Sequence, residues 1–429
     1  MTKASATGLA NWSSNYTYRA PRIHRPDTIG QVQDIVAGSD RAKALGSRHC
    51  FNDIADTAGD LIDLTGLPVD LDVTGDGTAT VTAGTSYGRL ATALREHSLA
   101  LPNLASLPHI SVAGAVATGT HGSGVANRAL GASLSGIELI RGDGELIALR
   151  RGRDADFAGA VVGLGALGIV TRVSLDVEPA YQVRQDVFED LPWGELEAHF
   201  DEIVSSAYSV SLFSNLQGPA VSQVWCKSRL TPAGDSTVFD PGGLVRPSFF
   251  GAKPATVTRH PLPGLSGDVC TAQLGVPGPW FERLPHFQLA FTPSNGEDLQ
   301  TEYLVPRDLA LDVLAILRGL APRIAPLLQV SEIRTVAADE LWLSPAYQRD
   351  CVAFHFTWVR DQPAVERLLA EIEDAIAECR PRPHWGKLFA ADRAALAAAY
   401  DRLPDFRRLA ERVDPAGVFR NDYLDRYVF

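Results

Sequence analysis

Two short turns combine glycine, hydroxyl side chains and a histidine: Gly46-Ser47-Arg48-His49-Cys50 and Thr118-Gly119-Thr120-His121-Gly122-Ser123-Gly124. Glycine lets a backbone come close to a bulky anionic ligand, and successive N–H groups in such turns make a concave anion site without any basic side chain. Both turns read as a cradle for a nucleotide diphosphate. The stretch leading into the second one strengthens that reading. Ala113, Gly114, Ala115, Ala117 and Gly119 are small enough for close approach, and Ser106, Ser111, Thr118 and Thr120 offer hydrogen bonds.

A second set of reactive residues lies downstream. Glu332 and Arg334, and likewise His355 and Thr357, sit two apart, so in a strand each pair projects from one face. Carboxylate, guanidinium, imidazole and hydroxyl together match a ligand presenting a row of hydroxyl groups. Gln288, read on a neighbouring strand, extends the row. Taken alone, each pair better suits the solvent face of an ordinary antiparallel sheet.

Residues 163–168 form a complete G-x-G-x-x-G. That dinucleotide fingerprint needs a helix opening at its glycines, whereas Ile169, Val170, Val173, Leu175 and Val177 continue as a strand. It reads as a packing turn near the ligand, not as an NAD site.

The elements that must position these groups are mixed α and β. A helix is expected from residue 29 after Pro26-Asp27, and a strand over 42–45 runs into the first glycine turn. Gly75-Asp76-Gly77 and Gly142-Asp143-Gly144 mark hairpins, and Leu90 with Leu94 marks a helix starting near Ser86. From Tyr181 the texture changes to alternating strands over 209–214, 223–227, 288–292 and 351–358. A Pro- and Gly-rich stretch, 231–264, reads as a loop over the site or at an interface. A helix over 364–379 precedes a boundary at 380–383.

A chain of 429 residues exceeds the roughly 250–300 at which single cores stop growing, so two domains are expected. The net charge of −12, spread along the chain, argues against nucleic acid or an anionic membrane as partner. Cys50, Cys226, Cys270, Cys351 and Cys379 are widely spaced without a C-x-x-C pair, which indicates reduced thiols and no metal site. No apolar signal core or membrane-length stretch is present, so a soluble cytoplasmic protein is expected.

Residues 46–50 and 102–124 resemble the FAD-binding domain of the vanillyl-alcohol oxidase (PCMH-type) family. Within it, the chain is similar to the alditol oxidases through SLFS at 211–214, GVPGPW at 275–280, LPHFQ at 284–288, EIRT at 332–335, HFTW at 355–358 and HWGK at 384–387. The resemblance implies a two-domain α+β fold: a PCMH-type FAD domain over 1–179, a cap domain over 180–383 with a large antiparallel sheet flanked by helices, and a C-terminal segment, 384–429, returning to the FAD domain. It implies FAD bonded through His49 to the 8α-methyl of the isoalloxazine ring, a role open to a neutral imidazole. The family's usual Gly-His-Ser is here Arg48-His49-Cys50. Gly46, Ser47, Arg48, Cys50, Ser106, Ser111, Gly114, Thr118, Gly119, Thr120, His121, Gly122, Ile169 and His384 are implied around the cofactor. Ser106, Gln288, Glu332, Arg334, His355, Thr357 and Lys387 are implied at the substrate.

The implied activity is oxidation of a terminal primary hydroxyl of an alditol, with O2 reduced to H2O2, by a monomer. Arg334 and Lys387 would stabilise the developing alkoxide and His355 would relay its proton. Sugar-lactone oxidases and dehydrogenases share the FAD domain and form the alternative.

Overall fold

Thr28 opens the first helix, Ile29–Ala37, by accepting a hydrogen bond from Gln31 N, and Val32 and Val36 carry its buried side. A computed structural model describes residues 8–230, 249–291 and 298–429. The strand Ala42–Leu45 follows and pairs parallel with Asp60–Asp63, which pairs parallel with Arg22–His24 on its other edge. Ser86 caps the helix Tyr87–Glu96 in the same way as Thr28, by accepting from Arg89 N. A five-stranded antiparallel sheet runs in the order Leu71–Thr74, Thr78–Thr82, Ile169–Asp176, Leu134–Ile140, Leu146–Arg150. Its two expected hairpins turn at Gly77 and Gly144, whose φ values of 82° and 83° favour glycine.

Residues 163–168 are indeed a turn between the helix Phe157–Val161 and the strand Ile169–Asp176, and no helix opens there. The turn presents carbonyls inward, where a dinucleotide fingerprint would present N–H groups. Fully buried Lys43 donates from Nζ to Leu164 O (3.3 Å) and Gly165 O (3.0 Å). Gly168, at φ 153°, lies where a Cβ would come within 2.5 Å of Ile140 O. These glycines wrap a lysine and admit a neighbouring strand.

The second half of the chain builds a nine-stranded antiparallel sheet whose centre runs Gln182–Pro192, Ala220–Leu230, Ser209–Ser214, Leu328–Val336, Cys351–Trp358, Leu299–Pro306. One face packs Leu212, Val224, Ile333, Phe354 and Phe356 with the helices Ala310–Gly319 and Gln362–Ile376. On the opposite face the register aligns Glu302, His355, Glu332, Phe213 and Gln223 in a single row across five strands. The period-2 geometry of strands thus separates an oily side from a reactive side.

One expectation fails here. Residues 288–291 form no strand: Phe287 makes an isolated bridge to Cys270, Gln288 is exposed in a loop, and Thr292 lies outside the described residues. The strand at that place in the sheet is Leu299–Pro306. Of the stretch 231–264, residues 231–248 lie outside the described residues, and Lys253–Pro254 pairs as a short edge strand with Gln182–Pro192. The helix expected over 364–379 begins at Gln362, where Asp361 accepts from Ala364 N, and ends in a 3-10 turn, Ala377–Cys379. Among the described residues no helix is long and apolar enough to cross a membrane.

After the edge strand Arg382–Pro383 the chain turns through residues 384–387 into three helices. Their Leu396, Phe406 and Leu424 share a core with Val81, Leu90 and Val173. Trp385 pins this turn: it is fully buried, donates from Nε1 to Leu343 O (2.8 Å) and packs on Tyr400 at 4.7 Å. Its carbonyl accepts from Asn52 Nδ2 and the Tyr423 hydroxyl, both at 2.9 Å. Trp385→Ala is expected to lower stability by about 3–5 kcal/mol, read as a fall in the urea midpoint.

Candidate active site

A cavity of ≈ 830 Å³ runs between the glycine turns and the reactive face of the large sheet. That volume lies near the top of the range of roughly 300–1,000 Å³ common for small-molecule sites. One wall carries residues 43–51, Ser106, Ser111, 113–118, Thr120 and His121, and another carries Gln300, Glu302, Glu332, Arg334, His355, Thr357, His384 and Lys387.

On the first wall, backbone meets backbone. A Cβ on Gly46 would lie 3.0 Å from Ser111 Oγ, and one on Gly114 would lie 2.6 Å from it. Ser47 Oγ accepts from Ser111 N at 3.3 Å, which ties the first turn to the helix Val112–Ala117. Ser111 Oγ and His49 Nδ1 are buried without a hydrogen-bond partner among the described residues. His49 stacks on Trp12 at 5.2 Å, and burial pulls its pKa down to about 4, so it stays neutral at physiological pH. Burial pushes the Cys50 thiol up to about 12, which leaves it a poor nucleophile. A cradle of small residues, orphaned polar atoms and a neutral imidazole fits a flavin dinucleotide.

Arg48 sits at φ 62°, in the left-handed region that favours glycine, at roughly 1–2 kcal/mol for a side chain bearing Cβ. Its guanidinium donates to Ala10 O (3.0 Å) and its carbonyl accepts from Trp12 N (2.8 Å), so the N-terminal segment holds the conformation.

Three implied cofactor residues stand behind the wall. Gly119 turns at φ 72° against Pro345, and a Cβ on Gly122 would strike Asn103 Oδ1 at 2.2 Å, so both shape the turn without lining the cavity. Ile169 is buried in the core beside Val32 and Val36, and its neighbours Gly168 and Val170 reach the cavity in its place. Thr118 and Thr120 do line it, their hydroxyls 3.4 Å apart.

The second wall is organised by Glu302, a residue that the sequence reading missed. Its carboxylate accepts from Arg334 Nη2 (2.6 Å) and Lys387 Nζ (2.8 Å), and His121 Nε2 lies 3.3 Å away. Burial alone would raise its pKa, but Lys387, His121 and Arg334 outweigh burial and hold it well below the usual range. Glu332 is held low in the same way, by Arg334 and His286 against burial. Burial lowers Lys387, moderated by Glu302. Arg334 also donates to Ser106 Oγ at 3.4 Å.

His355 donates from Nε2 to Gln300 Oε1 (3.1 Å), and its Nδ1 is buried without a partner among the described residues. Burial, and then the Lys387 charge, pull its pKa to about 3, so it too is neutral. His384 is neutral for the same reasons, and its Nδ1 accepts from Gly386 N at 3.1 Å. Gly386 packs closely here, since a Cβ there would lie 3.1 Å from Cys50 Sγ.

Gln288 does not join this set. Its amide donates to Asp268 O and Cys270 O in an exposed loop, and Gln300 supplies the amide beside His355. Gln300 and Glu302 lie two apart in LQTEYLVP, the same spacing that exposed Glu332 and Arg334.

Known proteins fit this geometry. A family model described as FAD binding domain matches residues 20–150, and one described as D-arabinono-1,4-lactone oxidase matches 293–427. The chain is 48% identical to the alditol oxidase of a Streptomyces species over 98% of both chains. It is 30% identical to the L-gulono-1,4-lactone dehydrogenase of Mycobacterium tuberculosis, covering 97% of this chain and 98% of that one. Among solved structures, cholesterol oxidase from Brevibacterium sterolicum superposes with a TM-score of 0.78 at 15% identity over 100% of this chain and 97% of that one, a likeness of fold. The chain belongs to the vanillyl-alcohol oxidase (PCMH-type) family of FAD-dependent oxidoreductases.

Proposed function

We propose that the protein oxidises the terminal primary hydroxyl of alditols such as xylitol or sorbitol to the aldose, with O2 as electron acceptor and FAD bonded covalently to His49. The observation that carries this reading is the buried row Glu302, His355, Glu332 with Arg334 and Lys387, on the wall of the cavity that also holds His49. The 48% identity to an alditol oxidase supports the same substrate class.

FAD, when bound, would supply the two-electron acceptor, held by His49 and the small-residue wall around Ser111. The protein's own residues bind and polarise the alcohol. Glu302 uses one N–H each of Arg334 and Lys387, which leaves further donors on both to meet an alkoxide as charge develops. The unpartnered Nδ1 of His355 and the ionised Glu332 are acceptors for the hydroxyl proton. Gln300 and Thr357, paired across adjacent strands, meet the hydroxyls further along the chain.

The family model over residues 293–427 and the mycobacterial relative favour sugar lactones as a second reading. Anaerobic xylitol should bleach the flavin, and readmitted air should restore it with release of peroxide. Turnover of a gulono- or arabinono-lactone with xylitol inert would overturn the alditol reading.

Acid-precipitated wild-type protein should keep flavin fluorescence on a denaturing gel, and His49→Ala should release it. Fluorescence lost from the wild type would refute the link. Lys387→Met should cut kcat/KM for xylitol by about 10²- to 10³-fold with the flavin spectrum unchanged. Since the folded-state pKa of Lys387 is lowered, its charge is present at low pH and lost as pH rises. The alkaline fall of kcat/KM should therefore have a midpoint below the ordinary lysine value of about 10.4, and Lys387→Arg should move that fall to higher pH.

A further inference from the structure

Behind Glu332 the structure holds a buried lysine that the reaction as described does not use. Lys227, on the strand Ala220–Leu230, is 1% exposed. Its Nζ lies 2.5 Å from Leu284 O, 3.0 Å from Pro285 O and 3.1 Å from His286 Nδ1. On the other side of that ring, His286 Nε2 lies 2.8 Å from Glu332 Oε1. Phe213 and Trp225 pack edge-on against the imidazole at 5.6 Å and 5.2 Å, so the ring cannot easily turn away.

We infer that Lys227 is a positioning residue for the alcohol site: its three donors fix the tautomer of His286, and His286 in turn fixes which oxygen of Glu332 is free for substrate. An ammonium has three N–H donors and no acceptor. Two carbonyls take two of them, so the third faces a bare lone pair on His286 Nδ1. The imidazole proton is thereby placed on Nε2, where it is donated to Glu332 Oε1. That oxygen is occupied, and Glu332 Oε2 is left as the acceptor for a substrate hydroxyl. With no ammonium, Nδ1 could carry the ring proton, and a bare Nε2 would face the carboxylate, lone pair to lone pair. The carboxylate would then turn, or take up a proton, and cease to be an acceptor.

The groups facing Lys227 are His286 on the loop, Glu332 and Arg334 on the strand Leu328–Val336, and Cys270. Burial keeps His286 neutral, with a pKa of about 4, and pushes the Cys270 thiol up to about 12. Burial pulls Lys227 itself to about 7, so the ammonium is complete only on the acid side of neutrality.

The inference rests on the polyol reading for its kinetic consequence but not for its structural one. Holoenzyme labelled with 15N-histidine is examined at pH 6, with His286 assigned by its loss in His286→Gln. Wild type should show Nε2 protonated and Nδ1 bare, and Lys227→Met should lose that fixed pattern. In parallel, Lys227→Met and His286→Leu should raise KM for xylitol about tenfold, through the weakened Glu332 contact, with the flavin spectrum unchanged. His286→Gln can accept from Lys227 and donate to Glu332, so it should recover most of what His286→Leu loses. An unchanged tautomer in Lys227→Met overturns the inference. If that variant does not fold, equal losses in His286→Gln and His286→Leu overturn it. A wild type inert to xylitol would sink the substrate reading alone, because the tautomer is measured without substrate.

Discussion

A carboxylate buried to 1% exposure is tolerable only if its partners stay in place, and Glu302 has three of them on three separate segments. Arg334 comes from a strand two positions across the sheet, Lys387 from the turn that carries the chain back to the first core, and His121 from the second glycine turn. A buried charge left wholly uncompensated costs about 3–5 kcal/mol, and Glu302 avoids that cost by having more than one partner. The sheet and the glycine turns are therefore locked in register by one charged group as well as by apolar packing. The same contacts that hold the site together also aim its two cations into the cavity.

Glycine serves two different purposes in these turns, and only the surroundings separate them. At Gly46 and Gly114 it brings two backbones together around Ser111. At 163–168 it bends carbonyls around a buried lysine, so a perfect motif binds a side chain of the protein itself. In the turn that carries His49, the left-handed position is filled by Arg48, and a hydrogen bond to Ala10 offsets part of the backbone cost. The motif letters record where the chain bends but not which end of the peptide dipole faces the ligand.

Much of the fold was readable because its signals are local. Thr28 and Ser86 cap their helices, the two Gly-Asp-Gly turns make hairpins, and the strand after Gly168 excludes a Rossmann helix. Glu332, Arg334, His355 and Thr357 were legible through period-2 spacing, and the structure puts them on one cavity wall. The same spacing marks Gln300 and Glu302, yet alternation at 288–292 resembled a strand equally well, and sequence alone does not rank two candidate strands. Lys227 carried no signal, and His286 stood only as a letter of LPHFQ with no role attached. Their chemistry arises from a loop laid over a distant strand, with Leu284 and Pro285 contributing only carbonyls.

The balance of charge in the cavity explains the kind of molecule it suits. Glu302 and Glu332 are held ionised, Arg334 and Lys387 oppose them, and His286, His355 and His384 are kept neutral by burial. Along this row two carboxylates are matched by two cations, so an anionic sugar acid would meet two carboxylates as well as the cations. A neutral polyol faces alternating donors and acceptors and desolvates without stranding a charge. Such a wall also limits what it can bind well. A ligand with fewer hydroxyls would leave buried Thr357 or Glu332 unmatched, and each unmatched group costs about 1–3 kcal/mol. Selectivity for polyhydroxylated chains over simple alcohols thus follows from the same burial that sets the charge states.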